Sequence, residues 1–318
     1  MTKRAAIRYC AFASSCLVSA VTQGQTLFSD NFDATPATAW TINAATAQDR
    51  AVFLFDYSSV GIPAAPNSGG STIGVMLQAN RPGGTPALTG VSISPLGQSF
   101  AGDYELRYDL WANFQGPLAS GGSGSTQITG GGIMTAGAVP HYAGNGDGLW
   151  FAATGDGQSS SDYRVYFGGV NQTTASASVT YAAGSQNQSA AYYSGFGNVP
   201  APAAQLALYP GQTGNTAVGA IGMEWHDVAI TKVGNTVTWD IDGLRIASVD
   251  LSTSGAFAGS NILLVQSDTF SGQVAEASDP LLFGLIDNVR VTAVPEPATY
   301  ALFGLGALGL AAFRRQRR

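Results

Sequence analysis

The chain is poor in the residues that most often carry chemistry. Its two cysteines, Cys10 and Cys16, both fall within what reads as a removable leader, so the exported body has no disulfide framework and no thiolate metal site. Its two histidines, His141 and His226, are far apart and give no zinc-ligand spacing. Charged residues are only 11% of the chain. Of the 14 Lys and Arg, three lie in the leader and four in the last five residues, leaving seven against 19 acids once Glu296 is set aside. A body near −12 does not bind nucleic acid or anionic lipid through bulk charge. No repeat of fixed period and no long 3.6-residue periodicity precede the final 25 residues.

Information concentrates at the two ends. Lys3, Arg4 and Arg8 precede an apolar stretch from Tyr9 to Ala20, the pattern of a secretory signal peptide, which we place at 1–24 with Gly24 the last residue removed. A lipoprotein reading through Cys16 is set aside, because Ala13 stands where leucine is usual and the apolar stretch before Cys16 is short. The other end, 294–318, has three parts: Val294-Pro295-Glu296-Pro297, an uncharged apolar run at 298–313, and a basic end at 314–318 carrying Arg314, Arg315, Arg317 and Arg318. An apolar run halted by arginines reads as a membrane stop, with the arginines held in the cytoplasm. Sixteen residues at about 1.5 Å each span roughly 24 Å, short of a hydrocarbon core of about 30 Å, so an ordinary tail anchor is the alternative. Pro295 and Pro297 fix an extended backbone before the helix, the form in which a processing enzyme reaches a peptide.

In their order these parts resemble the PEP-CTERM sorting tail of bacterial surface proteins, with Pro295, Glu296 and Pro297 as its triplet. The resemblance implies recognition by an exosortase-type membrane enzyme that removes the helix and passes the body to the cell surface or exopolysaccharide matrix.

The body, 25–293, is rich in glycine and in short runs of Val, Ile, Thr and aromatics, which predicts strands joined by turns. From Trp225 to Val249 three runs are joined by turns at Gly234-Asn235 and Asp242-Gly243. Two-residue loops place Ile230 opposite Trp239, Val228 opposite Ile241, Ile241 opposite Leu244 and Trp239 opposite Ile246, all on one face. Ala229, Thr231, Thr238, Asp240, Asp242 and Arg245 take the other, as a sheet with one buried side requires. Further strand candidates are 51–55, 73–77, 104–111, 149–153, 163–167 and 262–265; residues 116–140 and 170–220 read as long polar surface loops. The meander, with 27–33 as first strand and 286–291 as last, resembles concanavalin A-like and laminin-G-like domains. The resemblance implies an all-β antiparallel sandwich of jelly-roll type whose first and last strands are neighbours. This architecture hosts lectins, adhesion modules, structural proteins and glycanases, so it does not fix function.

Glycan hydrolysis on such a sandwich calls for paired carboxylates. The body has only Glu105, Glu224 and Glu276 as glutamates, and no catalytic residue is assigned. Glu105 and Asp109 share a strand face about 13 Å apart, too far for either hydrolytic geometry. In Glu224-Trp225-His226-Asp227, alternation sends His226 toward Val228 and Ile230, as a strand-end residue at the core edge. Asn145 and Asp147, with Asp156, lie in glycine-bearing loops around Trp150 and are candidate calcium ligands, although turns alone explain such residues. Gly130-Gly131-Gly132 and Gly168-Gly169 lack the residues of a phosphate cradle. Trp111, Trp150, Tyr163 and the pair Tyr192-Tyr193 are candidates for stacking on sugar rings, with core packing the competing use; Trp239 belongs to the core. The reading is therefore a non-enzymatic surface or matrix component with polysaccharide as partner. A carbohydrate-active hydrolase or lyase and a self-assembling adhesin are the alternatives.

Overall fold

Short alternating runs punctuated by Gly, Asn and Asp turns make strands, and a computed structural model describes residues 24–295 except 86, 123, 271 and 273. The leader through residue 23 and the chain from Glu296 onward, including Pro297, the 298–313 run and the four terminal arginines, lie outside the described residues. Among the described residues no helix is long and apolar enough to cross a membrane.

The strands in chain order are β1 (Thr26–Asp30), β2 (Trp40–Ala44), β3 (Arg50–Asp56), β4 (Ile73–Gln78), β5 (Thr89–Pro95), β6 (Tyr104–Asn113), β7 (Gln127–Thr135) and β8 (Leu149–Thr154). They continue with β9 (Tyr163–Phe167), β10 (Val170–Gln172), β11 (Val179–Tyr181), β12 (Trp225–Val233), β13 (Thr236–Ile241), β14 (Leu244–Asp250), β15 (Asn261–Asp268) and β16 (Phe283–Ala293). A single-turn-scale helix, α1 (Ala203–Leu208), sits in the long connection before β12. The first sheet runs β11-β14-β13-β12-β6-β16-β4-β3, with β1 also on β16; the second runs β10-β9-β8-β7-β15-β5-β2. Every named pairing is antiparallel. The molecule is an all-β two-sheet sandwich, and its first and last strands pair, Asp30 opposite Val289.

Alternation decides what enters the space between the sheets. Leu106, Tyr108 and Leu110 of β6, with Val228, Ile230, Trp239 and Ile241, meet Leu149, Phe151, Val165, Ile262 and Leu264 of the second sheet. The meander pairs as expected at Val228–Ile241, Ile230–Trp239 and Ile241–Leu244. A bulge at Trp239/Asp240 moves the next pair by one residue, so Trp239 faces Ala247 rather than Ile246.

Two expected loops are corrected. Within 116–140, β7 is a buried central strand between β8 and β15. Its glycines leave space: a Cβ on Gly131 would stand 2.9 Å from the Tyr108 hydroxyl of the facing sheet, and one on Gly132 would stand 2.5 Å from Trp150 Cβ. The composition that reads as a loop is what lets large rings pack on both faces of this strand. The 170–220 stretch packs onto the sandwich through buried glutamines, Gln186 donating to the Tyr163 carbonyl, Gln205 to Asn113 Oδ1 and Gln212 to the Phe114 carbonyl.

Candidate functional site

The outer face of the first sheet carries an ordered array of polar side chains. Opposed residues of antiparallel strands share a face with Cα atoms about 4.5–5.5 Å apart, and the next row lies two residues along. Across β12, β6 and β16 the rows are Trp225–Trp111–Leu285, then Asp227–Asp109–Asp287, then Ala229–Arg107–Arg290, then Thr231–Glu105–Thr292. Three aspartates from distant parts of the chain thus stand side by side.

Trp111 and Trp225 lie 5.8 Å apart between ring centroids, and Tyr57 lies 5.2 Å from Trp225. Beside this aromatic block the loop between Gly61 and Thr72 crosses the sheet and covers the aspartate row. Asp109 accepts from the Asn67 backbone N–H (3.1 Å), the Asn67 side-chain amide (2.7 Å) and the Asn288 amide (2.8 Å). Asp287 accepts from the Tyr57 hydroxyl at 3.1 Å and from the Asn288 N–H at 2.7 Å. Both aspartates have no exposed surface. Burial pushes Asp287 up to about 7 against the pull of these donors, and it raises Asp109 as well. Asp227 is half-buried: its Oδ2 takes the Arg107 guanidinium at 2.5 Å, and its buried Oδ1 has no partner.

A bulge in β16 builds the open end of the array. From Asp287 to Arg290 β16 uses one residue more than β6 does from Asp109 to Arg107. Asn288 takes the left-handed backbone at φ 52°, a conformation Asn accepts more readily than most residues. The same point on β16 is where pairing with β4, at Gly284–Ile286, gives way to pairing with β1, at Val289–Thr292. At this junction opens a cleft of about 840 Å³ lined by Asp30, Asn31, Thr35, Asn67, Arg107, Asn288 and Arg290, among others. That volume is in the range of small-ligand sites.

The stacking candidates are corrected. Trp111, Trp150 and Tyr163 are at most 1% exposed and serve packing: alternation turns Tyr163 into the core between the sheets, whereas Trp111 and Trp150 lie on outer faces within separate apolar clusters. Trp150 stacks on Tyr166 at 3.8 Å and 4° beneath the loops over the second sheet. Tyr193 is buried against Tyr163, whereas Tyr192 is 40% exposed.

The calcium candidates do not converge on one site. Asn145 and Asp147 precede β8 and Asp156 follows it, so a strand of roughly 20 Å separates them. Asp147 is occupied by Thr135, the Ala136 N–H and His141 Nε2, and Asn145 donates to the Pro140 carbonyl. Asp156 borders a cavity of about 10 Å³ between the sheets; its Oδ1 has no partner, and burial pushes it up to about 8. Among the described residues no three His, Cys, Asp or Glu side chains gather in a way that would hold a metal ion.

His226 is buried at the strand end, as alternation implies, and both ring nitrogens face acceptors: Asp242 Oδ2 at 2.7 Å and the Ile221 carbonyl at 3.0 Å. Asp242 therefore does more than make its turn. Asp109, on the outer face of its sheet, is fully buried as well. Spacing could not reveal the aspartate row, because only sheet register brings Asp109, Asp227 and Asp287 together.

Residues 293–318 match the PEP-CTERM protein-sorting motif, which implies recognition by exosortase and an exported, surface-sorted protein. Among curated proteins none is significantly similar. Among solved structures, one similar chain is a protein of unknown function with a galectin-like fold from Bacillus subtilis. It is 7% identical, with 85% of this chain and 97% of that one covered, at a TM-score of 0.45. Another is a Bacillus licheniformis beta-glucanase, 11% identical over 85% and 99% of the two chains, TM-score 0.40. A Flavobacterium laminarinase is 11% identical over 84% and 100%, TM-score 0.40. Resemblance at this level says nothing of what the present chain binds or does.

Proposed function

We propose that this is a non-enzymatic component of the bacterial cell surface or exopolysaccharide matrix that binds polysaccharide in the cleft at the β16 bulge. Its leader at 1–24 directs export, and its tail at 294–318 is processed by exosortase. The observation that supports binding over catalysis is the state of the aspartate row. Asp109 and Asp287 are shielded beneath the 61–72 loop and saturated by amide, backbone and phenol donors, so they are not presented to a substrate. The adjoining cleft is open and polar, as a site for a hydroxylated ligand requires. The test is retention of the full chain on bacterial polysaccharides together with an assay for new reducing ends. Retention without new ends supports the proposal, and release of fragments contradicts it.

A second reading, a glycan hydrolase, draws on one feature: Asp227 keeps a partnerless oxygen beside two aspartates whose proton affinity is raised. An enzyme of this kind would lose turnover in both Asp227→Asn and Asp287→Asn. Self-assembly through sheet edges finds less support, since β10 and β11 are three residues long and β3 is bulged at Val52/Phe55.

A further inference from the structure

We infer that the cleft is an anion site, and that Arg290 receives the carboxylate of a uronic-acid-bearing saccharide. The inference rests on the proposed polysaccharide binding and names the ligand class. Seven cationic side chains are described, and six are engaged. Arg81 is paired with Asp279, Arg107 with Glu105 and Asp227, Arg245 with Asp240, and Lys232 with Asp103 and the Gly102 carbonyl. Arg50 donates to Gln78, and Arg164 to Ser159 and the Ser161 carbonyl. Among the seven described Lys and Arg side chains the guanidinium of Arg290 alone has no hydrogen-bond or ion-pair partner, although acids outnumber bases in the body by 19 to seven. It is exposed and lines the cleft.

Its placement runs against the electrostatics of the sheet. Arg290 stands directly opposite Arg107 on one face, and like charges in that relation are destabilising. Arg107 is neutralised by its two carboxylates, whereas Arg290 has none. The acid that lines the cleft does not answer it. Asp30 Oδ1 accepts from the Phe32 N–H and the Thr35 hydroxyl, and Oδ2 from the Trp40 indole N–H. The cleft therefore holds a guanidinium that no carboxylate of its own lining compensates. A planar carboxylate matches the guanidinium fork with two parallel hydrogen bonds, which a neutral sugar hydroxyl cannot do.

The experiment compares binding of short oligomers of galacturonate, guluronate and glucuronate, their neutral methyl esters, and a sulfated oligosaccharide to the full chain. The variants are Arg290→Gln, Arg290→Lys and, as a paired-arginine control, Arg245→Gln. At least one uronate should bind better than its ester and sulfated oligomers. Arg290→Gln should weaken that binding about tenfold or more while leaving the ester unaffected. Arg290→Lys should fall between, and Arg245→Gln should match the unaltered chain. Acid and ester bound equally, or an Arg290→Gln chain that binds the acid as before, overturns the anion assignment and leaves saccharide binding standing. Preference for the sulfated oligomer overturns the carboxylate assignment. No retention of any saccharide, acidic or neutral, overturns both.

Discussion

Asn288, held in the left-handed region by the β16 bulge, donates its side-chain amide to Asp109 across the strand at 2.8 Å. That bond ties the geometry of the cleft to the saturation of the buried aspartate. Asn288→Gly keeps the backbone permissible while deleting the amide, so one buried carboxylate oxygen loses a donor. The expected cost is about 1–3 kcal/mol, read from the midpoint of urea unfolding. Asn288→Val adds backbone strain and should cost more.

Asp242 and His226 give a second test. A purely turn-forming Asp242 at φ 50° would be replaced by glycine without loss, since glycine tolerates that conformation. In the folded protein, however, the carboxylate accepts from His226 Nδ1 and from the Asp227 N–H. Asp242→Gly should therefore destabilise by about 1–3 kcal/mol, because a buried imidazole nitrogen and a backbone donor lose their acceptor. An unchanged unfolding midpoint would assign Asp242 to the turn alone.

Much of the sandwich was legible because strand alternation is local. Trp239 and Ile230 could be paired from two turns, and 27–33 with 286–291 recognised as first and last strands. The misses have physical causes. Gly130-Gly131-Gly132 has no side chains to show a period, although the facing Tyr108 and Trp150 supply the bulk. The bulges at Asn288 and at Trp239/Asp240 leave no mark in a pattern of apolar residues. The site was the least legible part, since Arg107 and Asp109 of β6 meet Asp227 and Arg290 only through the order of β12, β6 and β16.

The glycine strand predicts intolerance. Gly132→Ala places a Cβ 2.5 Å from both the Leu149 carbonyl and Trp150 Cβ, on backbone that cannot swing away. A loss of about 1–3 kcal/mol is expected, and Gly132→Val should not yield soluble folded protein. Gly144→Ala, with nothing within 4 Å but φ at 99°, separates backbone strain from crowding.

Stability should fall as pH rises toward alkaline values. Burial pushes Asp268 up to about 6, Asp287 to about 7 and Asp156 to about 8, whereas in the unfolded chain each titrates near about 3.9. Between those limits the folded chain binds more protons, so the contribution is full below about pH 4 and is lost as pH climbs through roughly 6 to 8. Asp147 and Asp242 are held low with His141 and His226 as partners, so their stabilisation is lost only on strong acidification. Thermal unfolding should give a higher Tm at pH 5 than at pH 8.5, and Asp156→Asn should flatten the upper part of that slope. A Tm that rises over this interval would contradict the assignment.

Whether this surface-sorted protein binds saccharide without cleaving it is decided by one incubation of the full chain with soluble acidic bacterial polysaccharide. Bound fraction and reducing ends are followed in the same sample. Saturable binding is expected, with no increase in reducing ends and a weaker isotherm for Arg290→Gln. Reducing ends that accumulate with time, and stop in Asp227→Asn, would contradict it and make the aspartate row an active site.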